Sequence, residues 1–339
     1  MDDLLPGPGG ILRAGGEQPG AGDDGTVIGD APARSCVTAR WGGEATMESA
    51  EHRVASRSGG RAWIEADVPQ SPTTVHEALA ALDAVTERLL ARGDQRAVFP
   101  DVYAIITRRV SESVAIGADG FFKEPSWISR LAGRFCERYL TTLRWSLRGD
   151  AQDTGAWSIA YACCDLGDMM PIHHVLLGLS AHINYDLALG IAATIAEQGA
   201  AHDHARIERF KHDHDAVNCL LRASIPEAFD HLMDRHACPI SRLVYRHAYA
   251  AAEWVVMHVL TRWRERVWND AMALLHAETP TQKRRIERRL ERRSQHYARL
   301  LAIPGILPLA GVAPTSMDAG RPGRARQAIR AEQLLQVLA

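Results

Sequence analysis

What this chain has little of narrows its character first. Of 339 residues only 6% are aromatic, six are cysteine and three are lysine. The cysteines (Cys36, Cys136, Cys163, Cys164, Cys219 and Cys238) are scattered, with no CxxC pair. That excludes a small disulfide-framed secreted domain and reads as reduced thiols. No basic segment followed by an apolar run opens the chain, and no apolar stretch of about 18 residues occurs anywhere. The sequence therefore predicts a cytoplasmic protein without a membrane partner. A formal net charge of −2 supplies no global field toward nucleic acid either. Glycine-rich phosphate loops and convincing alternating strands are missing too. The scarcity of lysine beside abundant arginine and alanine reflects genome composition rather than function.

What is present is an ordinary globular balance, 46% apolar and 24% charged, long enough to bury a sizeable core. Residues 1–70 are rich in Gly, Pro, Ala, Asp and Arg with little hydrophobic period, and read as a disordered N-terminal segment; Met47 offers a later start. From Ser71-Pro72-Thr73-Thr74, a capping stretch, the pattern turns helical. Val75, Leu79, Leu82, Val85 and Leu89 recur at three and four. Val102–Val114 repeats the pattern, and Trp127, Leu131, Phe135, Tyr139, Leu143 and Leu147 form an unbroken i, i+4 stripe. Further helices are predicted over Trp157–Cys164, Pro171–Glu197, Ala205–Leu221, from Pro226 towards His236, over Ser241–Leu275 and over Thr281–Leu301. A linker and short helix follow Pro304. The predicted fold is an all-α, multi-helix bundle spanning 71–303.

Nine of the fifteen histidines fall between His173 and His236. On the Pro171–Glu197 helix, His174, Gly178, His182 and Asp186 step by four and share a face. The surrounding Leu176, Leu177, Leu179, Ile183 and Leu187 make that helix apolar nearly all round, hence central. A His and a carboxylate one turn apart in such a setting either chelate one metal, with His174, His182 and Asp186 as ligands, or pair so that Asp186 orients the imidazole. His202-Asp203-His204 reads as a loop. In His212-Asp213-His214-Asp215-Ala-Val-Asn218, the helical phase turns Asp215 and Asn218 toward the central helix, while Asp213 and His214 point elsewhere, mostly to the surface. Asn184, Tyr185, Asn218 and Trp157 are candidate substrate contacts, with Trp145 and Tyr161 as further pocket aromatics. Asp215 and Asp168 are candidate catalytic bases. The basic run 283–293 carries Glu287 and Glu291 one turn from its cations, which reads as a solvated, partly self-paired face.

The stretch LLGLSAHINYDL, with Tyr103–Thr107–Val110, Phe122–Pro125–Trp127 and Phe210–Asp215–Asn218, resembles an uncharacterised family of bacterial proteins common in actinobacteria. The likeness spans roughly residues 75–275. It implies an all-helical fold and draws attention to His182, Asn184, Asp186, Asp215 and Asn218, without implying an activity. Gly167-Asp168-Met-Met-Pro171-Ile-His173-His174 and His182-x-x-x-Asp186 also resemble the zinc ligand elements of the zinc-dependent phospholipase C and S1/P1 nuclease families. Cys164 stands where those families have a His, and Pro171 comes one residue early.

Three functions are open on this reading. The first is a metal-dependent enzyme, a hydrolase using water activated by zinc or another divalent ion. The second is a non-haem iron oxidoreductase of secondary metabolism, against which the scarcity of Glu counts. The third is a metal-free enzyme or a small-molecule-binding helical module. In each case the expected partner is a small molecule.

Overall fold

The computed structural model describes residues 71–117, 120–149, 155–166, 169–236 and 239–310, the side chains of 239–255 and 303–310 excepted. The predicted disordered segment 1–70 and Asp168 lie outside the described residues, as does the chain after 310. Among the described residues there is no strand, and the all-α prediction holds.

Helix α1 (Val75–Ala91) is capped by Thr74, whose side chain accepts from the Glu77 amide, while Glu77 reaches back to the Thr73 amide. Its stripe of Val75, Leu82, Val85 and Leu89 is fully buried against α2 (Val98–Ala115) and α3 (Pro125–Arg148). Helix α3 begins on Pro125, where a missing N–H costs nothing, and ends on Gly149 in the left-handed region. Its first turn is also capped from a distance. The Asp213 carboxylate, fully buried, accepts the backbone amides of Lys123 at 2.8 Å and Glu124 at 2.6 Å.

The chain continues through α4 (Ala156–Leu166), α5 (Pro171–Ala181), a π-helical turn (His182–Asp186) and α6 (Leu187–Glu197). Then come α7 (His204–Arg235), α8 (Pro239–Leu275) and α9 (Pro280–Ala310). Pro226, expected to start a new helix, sits inside α7, which runs on without a break. Likewise α9 continues past Pro304 rather than ending there.

The segment Pro171–Glu197 is, by length and composition, apolar enough to cross a membrane, which corrects the expectation that no such stretch occurs. However, 72% of its apolar window is buried inside the protein. It is the central element of the bundle, and helices α3, α8 and α9 all pack on its π turn. Two apolar cores meet there. One gathers side chains of α1, α4 and α5, and the other side chains of α6, α7 and α8; Phe135 and Leu179 touch both. The His182 region lies on that seam.

Candidate functional site

The central helix was expected to be regular, and its one irregularity falls on the candidate residues. The Leu187 amide donates to the His182 carbonyl, five residues back, which defines the π turn. A local cause is visible in Asn184. Its Nδ2 donates to the Ser180 carbonyl at 3.1 Å, competing for an acceptor that a regular helix would give to a backbone amide. Asn184 is fully buried, so it shapes the turn from inside the protein.

The turn leaves His182 and Asp186 adjacent, as the sequence spacing predicts. His182 Nδ1 lies 3.2 Å from Asp186 Oδ2, and both side chains are essentially sealed from solvent, at 2% and 1% exposure. Asp186 Oδ2 also accepts from Trp157 Nε1 at 2.8 Å, and Oδ1 from Arg138 Nε at 3.3 Å. A carboxylate can only accept, so Nδ1 must carry the proton in this pair. Burial holds the His182 pKa below the usual histidine value, against the opposing pull of Asp186. The ring is therefore neutral at pH 7, and Nε2 presents a lone pair. That Nε2 is buried and has no hydrogen-bond partner among the described residues. Around the ring stand Phe99, Tyr103, Phe135, Tyr139 and Trp157, with Phe135 stacked face to face on it.

Two cavities meet at this pair. His182 lines an apolar one of about 100 Å³, together with Tyr103, Phe135, His214 and Arg264. Asp186 lines a second, more polar one of about 350 Å³ with Arg138, Trp145, Trp157 and Tyr185. Arg138 lies 5.8 Å over the Tyr185 ring. Tyr185 and Trp157, expected as substrate contacts, line the second cavity beside the Asp186 carboxylate.

The phase expected for α7 is reversed in the structure. Asp215 is exposed and paired with Lys211 at 2.6 Å, so it is no base for the central helix. Asp213 and His214, expected at the surface, are fully buried. The reason is the apolar stripe of α7. Phe210 and Leu221 are buried, and His214 occupies the same stripe. His214 Nε2 lies 3.2 Å from the Arg264 carbonyl and so donates to it. Its Nδ1 is then an acceptor, and Arg264 Nη2 lies 3.3 Å from it. Burial pushes the His214 pKa well below the ordinary value. Asn218, half-buried, accepts from Arg264 Nε at 2.8 Å; it meets α8 rather than His182.

His174, the third expected ligand, is buried, and its Nδ1 lies 3.5 Å from Cys164 Sγ. Burial lowers its pKa to about 4 and raises that of the Cys164 thiol. Among the described residues no three His, Cys, Asp or Glu side chains come together in a group able to hold a metal ion. His174, His182 and Asp186 do not form the expected ligand set. His182 and Asp186 do meet, but His174 stands about 12 Å of helical rise before His182, and its Nδ1 faces Cys164 instead. His202 and His204 lie in a turn and at the first residue of α7, both exposed, as expected of a loop.

Arg138 and Arg264 were absent from the sequence reading, while Tyr103 entered it only through the resemblance and His214 as a surface residue. Arg264 alone left a clear trace. It interrupts the buried stripe Met257, Leu260, Val267, Ala271 and Leu274 of α8, where a charged residue is out of place.

No curated protein and no solved structure matches the chain, and no match carries the likeness to zinc-dependent phospholipases or nucleases. One family model, described as "Family of unknown function (DUF5995)", matches residues 75–304 and takes in every described helix, α9 up to residue 304. The chain belongs to that family.

Proposed function

We propose that this protein binds a small, largely apolar molecule in the cavity walled by His182, and that His182 Nε2 takes a hydrogen bond or a proton from it. One observation carries the reading. A neutral imidazole, fixed in the Nε2-acceptor tautomer by a buried carboxylate, leaves that acceptor sealed in an apolar cage without a partner. An unpaired buried acceptor is a standing cost of about 1–3 kcal/mol, and a donor-bearing ligand removes it. The Asp–His arrangement is also that of a general base. The carboxylate holds the ring and stabilises the imidazolium formed on proton uptake. Trp157 and Arg138 fix the carboxylate in turn, so the base is rigid before any ligand arrives.

The size of the cavity limits the ligand. An apolar protein cavity of about 150 Å³ takes benzene, so the space here suits a compact or short-chain group. Pyrrole and furan test the reading, since both are smaller than benzene, share shape and differ in a donor. Calorimetry should show pyrrole bound about two- to twelvefold tighter, the ratio that a net hydrogen bond of about 0.5–1.5 kcal/mol gives. A His182→Phe variant should lose the preference. If neither compound binds, the cavity is not a ligand site.

A metal-dependent reading is the second one, and it rests on the same nitrogen. An imidazole backed by a carboxylate is how many metal-binding histidines are held. Elemental analysis of protein purified without chelator tests it, with stoichiometric zinc or iron as the supporting result.

A further inference from the structure

The same apolar cavity is lined by a cation, Arg264, whose one charged neighbour, Asp215, acts on it from a distance and against which no carboxylate sits in contact among the described residues. Arg264 is 6% exposed. Its guanidinium donates to Asn218 Oδ1 from Nε, and to the His214 carbonyl and ring nitrogen from Nη2. All three acceptors are neutral. Those bonds use three of the five N–H groups, leaving both hydrogens of Nη1 without an acceptor among the described residues. No carboxylate lies within 4.0 Å of the guanidinium among those residues either. The nearby Asp215 is held by Lys211, and the buried carboxylate of α8, Asp270, is held by Arg289 and Arg293. His214 cannot share the charge, because its donor and acceptor nitrogens are both committed in the neutral form. Burial pulls Arg264 down to about 10, which still leaves it cationic at neutral pH.

A buried charge without a partner is expensive, and replacing such a residue by an apolar one of similar volume is often neutral or stabilising. Tethering α7 to α8 does not require it, since Trp268 already packs against His214 there. What an arginine adds is a planar fork that pairs with a planar anion. We infer that Arg264 is the anchor for a carboxylate, and that the ligand of this cavity is a compact monocarboxylic acid whose largely apolar body reaches from Arg264 to His182 and ends in the donor that Nε2 takes. This rests on the cavity being a ligand site and adds the ligand's charge. A carboxylate is favoured over a phosphate ester because the lining offers one cation. The remaining walls are aliphatic and aromatic save for Tyr103, Thr107 and the two histidines, and a dianion would stay under-neutralised there.

Calorimetric titration of the full chain with propanoate, 1-propanol and propyl phosphate tests the inference. The wild-type protein should bind propanoate at least tenfold tighter than 1-propanol and tighter than propyl phosphate. In Arg264→Met the propanoate preference should vanish while 1-propanol binding persists. Equal or tighter binding of 1-propanol by the wild-type protein overturns the carboxylate assignment and leaves the cavity reading standing. Tighter binding of propyl phosphate overturns it in favour of a phosphate ligand. If none of the three binds, the cavity reading fails with it. The wild-type comparison needs no variant, so an unfolded Arg264→Met protein would not shield the inference.

Discussion

Truncating Asp186 should expose how much of the domain's stability runs through one carboxylate. The side chain is 1% exposed and accepts from Trp157 Nε1, His182 Nδ1 and Arg138 Nε at 2.8, 3.2 and 3.3 Å. In Asp186→Ala the first two donors stay buried with nothing to accept them, at about 1–3 kcal/mol each. Arg138 is 36% exposed and can turn to water, so its loss is small. The sum agrees with the roughly 3–5 kcal/mol expected when one side of a buried charged network is removed. Asp186→Asn keeps the shape and one acceptor oxygen, and should cost about half as much. Chemical unfolding followed by tryptophan fluorescence measures both, with the midpoint compared at constant slope. Against a total of about 5–15 kcal/mol for an ordinary domain, either change is large. If Asp186→Ala shifted stability by less than about 1 kcal/mol, the carboxylate would not hold the His182 tautomer, and the argument for a poised Nε2 would fall.

Three further outcomes follow from the same geometry. A methyl group at Gly178 would lie 2.2 Å from Phe99 Cδ2, and that ring is wedged against Tyr103, Tyr139, Trp157 and His182. Gly178→Ala should therefore cost about 1–3 kcal/mol by overpacking, a fall of several degrees in Tm by calorimetry; an unchanged Tm would show that the cage yields. The folded-state pKa of His174 is depressed to about 4, so the unfolded chain binds its proton first as pH falls. Stability should be complete above about pH 6.5 and decline through the window down to 4 by about 3 kcal/mol from this residue. His182 and His214 add loss of the same sign; unfolding midpoints at pH 7.5 and 4.5 check it, and His174→Gln should flatten the slope. Finally, alkylation mapped by mass spectrometry should mark the exposed Cys219 first. Cys136 and Cys163, buried and with thiol pKa values pushed up, to about 12 for Cys163, should react only on unfolding.

The helices were legible because burial writes a period into the sequence. The α3 stripe from Trp127 to Leu147 is buried in the structure except for half-buried Phe135, and the apolar wrap of Pro171–Glu197 announced its central place. The His182–Asp186 pair was legible for the same reason, since a polar pair four apart on such a helix must meet or be unsatisfied. The π turn was not, because it depends on a single side-chain competition, Asn184 against the backbone for the Ser180 carbonyl. The phase of α7 was misread because four polar residues in a row, His212 to Asp215, hide which of them belong to the stripe. Phe210 and Leu221 decide it, and they place Asp213 and His214 inside.

That correction moves the candidate site as well as one helix. With Asp215 facing the core, the polar residues of α7 would be a source of ligands for a metal shared with the central helix. With His214 inward, α7 instead contributes an imidazole that is already spent, both nitrogens on α8 and neutral by burial. Its consequence is to hold the Arg264 guanidinium beside the cavity, through the His214 carbonyl and ring together. The cavity then has a lone-pair base, His182, and a cation, Arg264, that no carboxylate touches among the described residues; its other walls are largely apolar. Each of those groups alone is a cost to folding. Together they are complementary to one kind of molecule, a largely apolar acid with a donor at its far end, and that complementarity supplies a reason for a stable helical core to keep both.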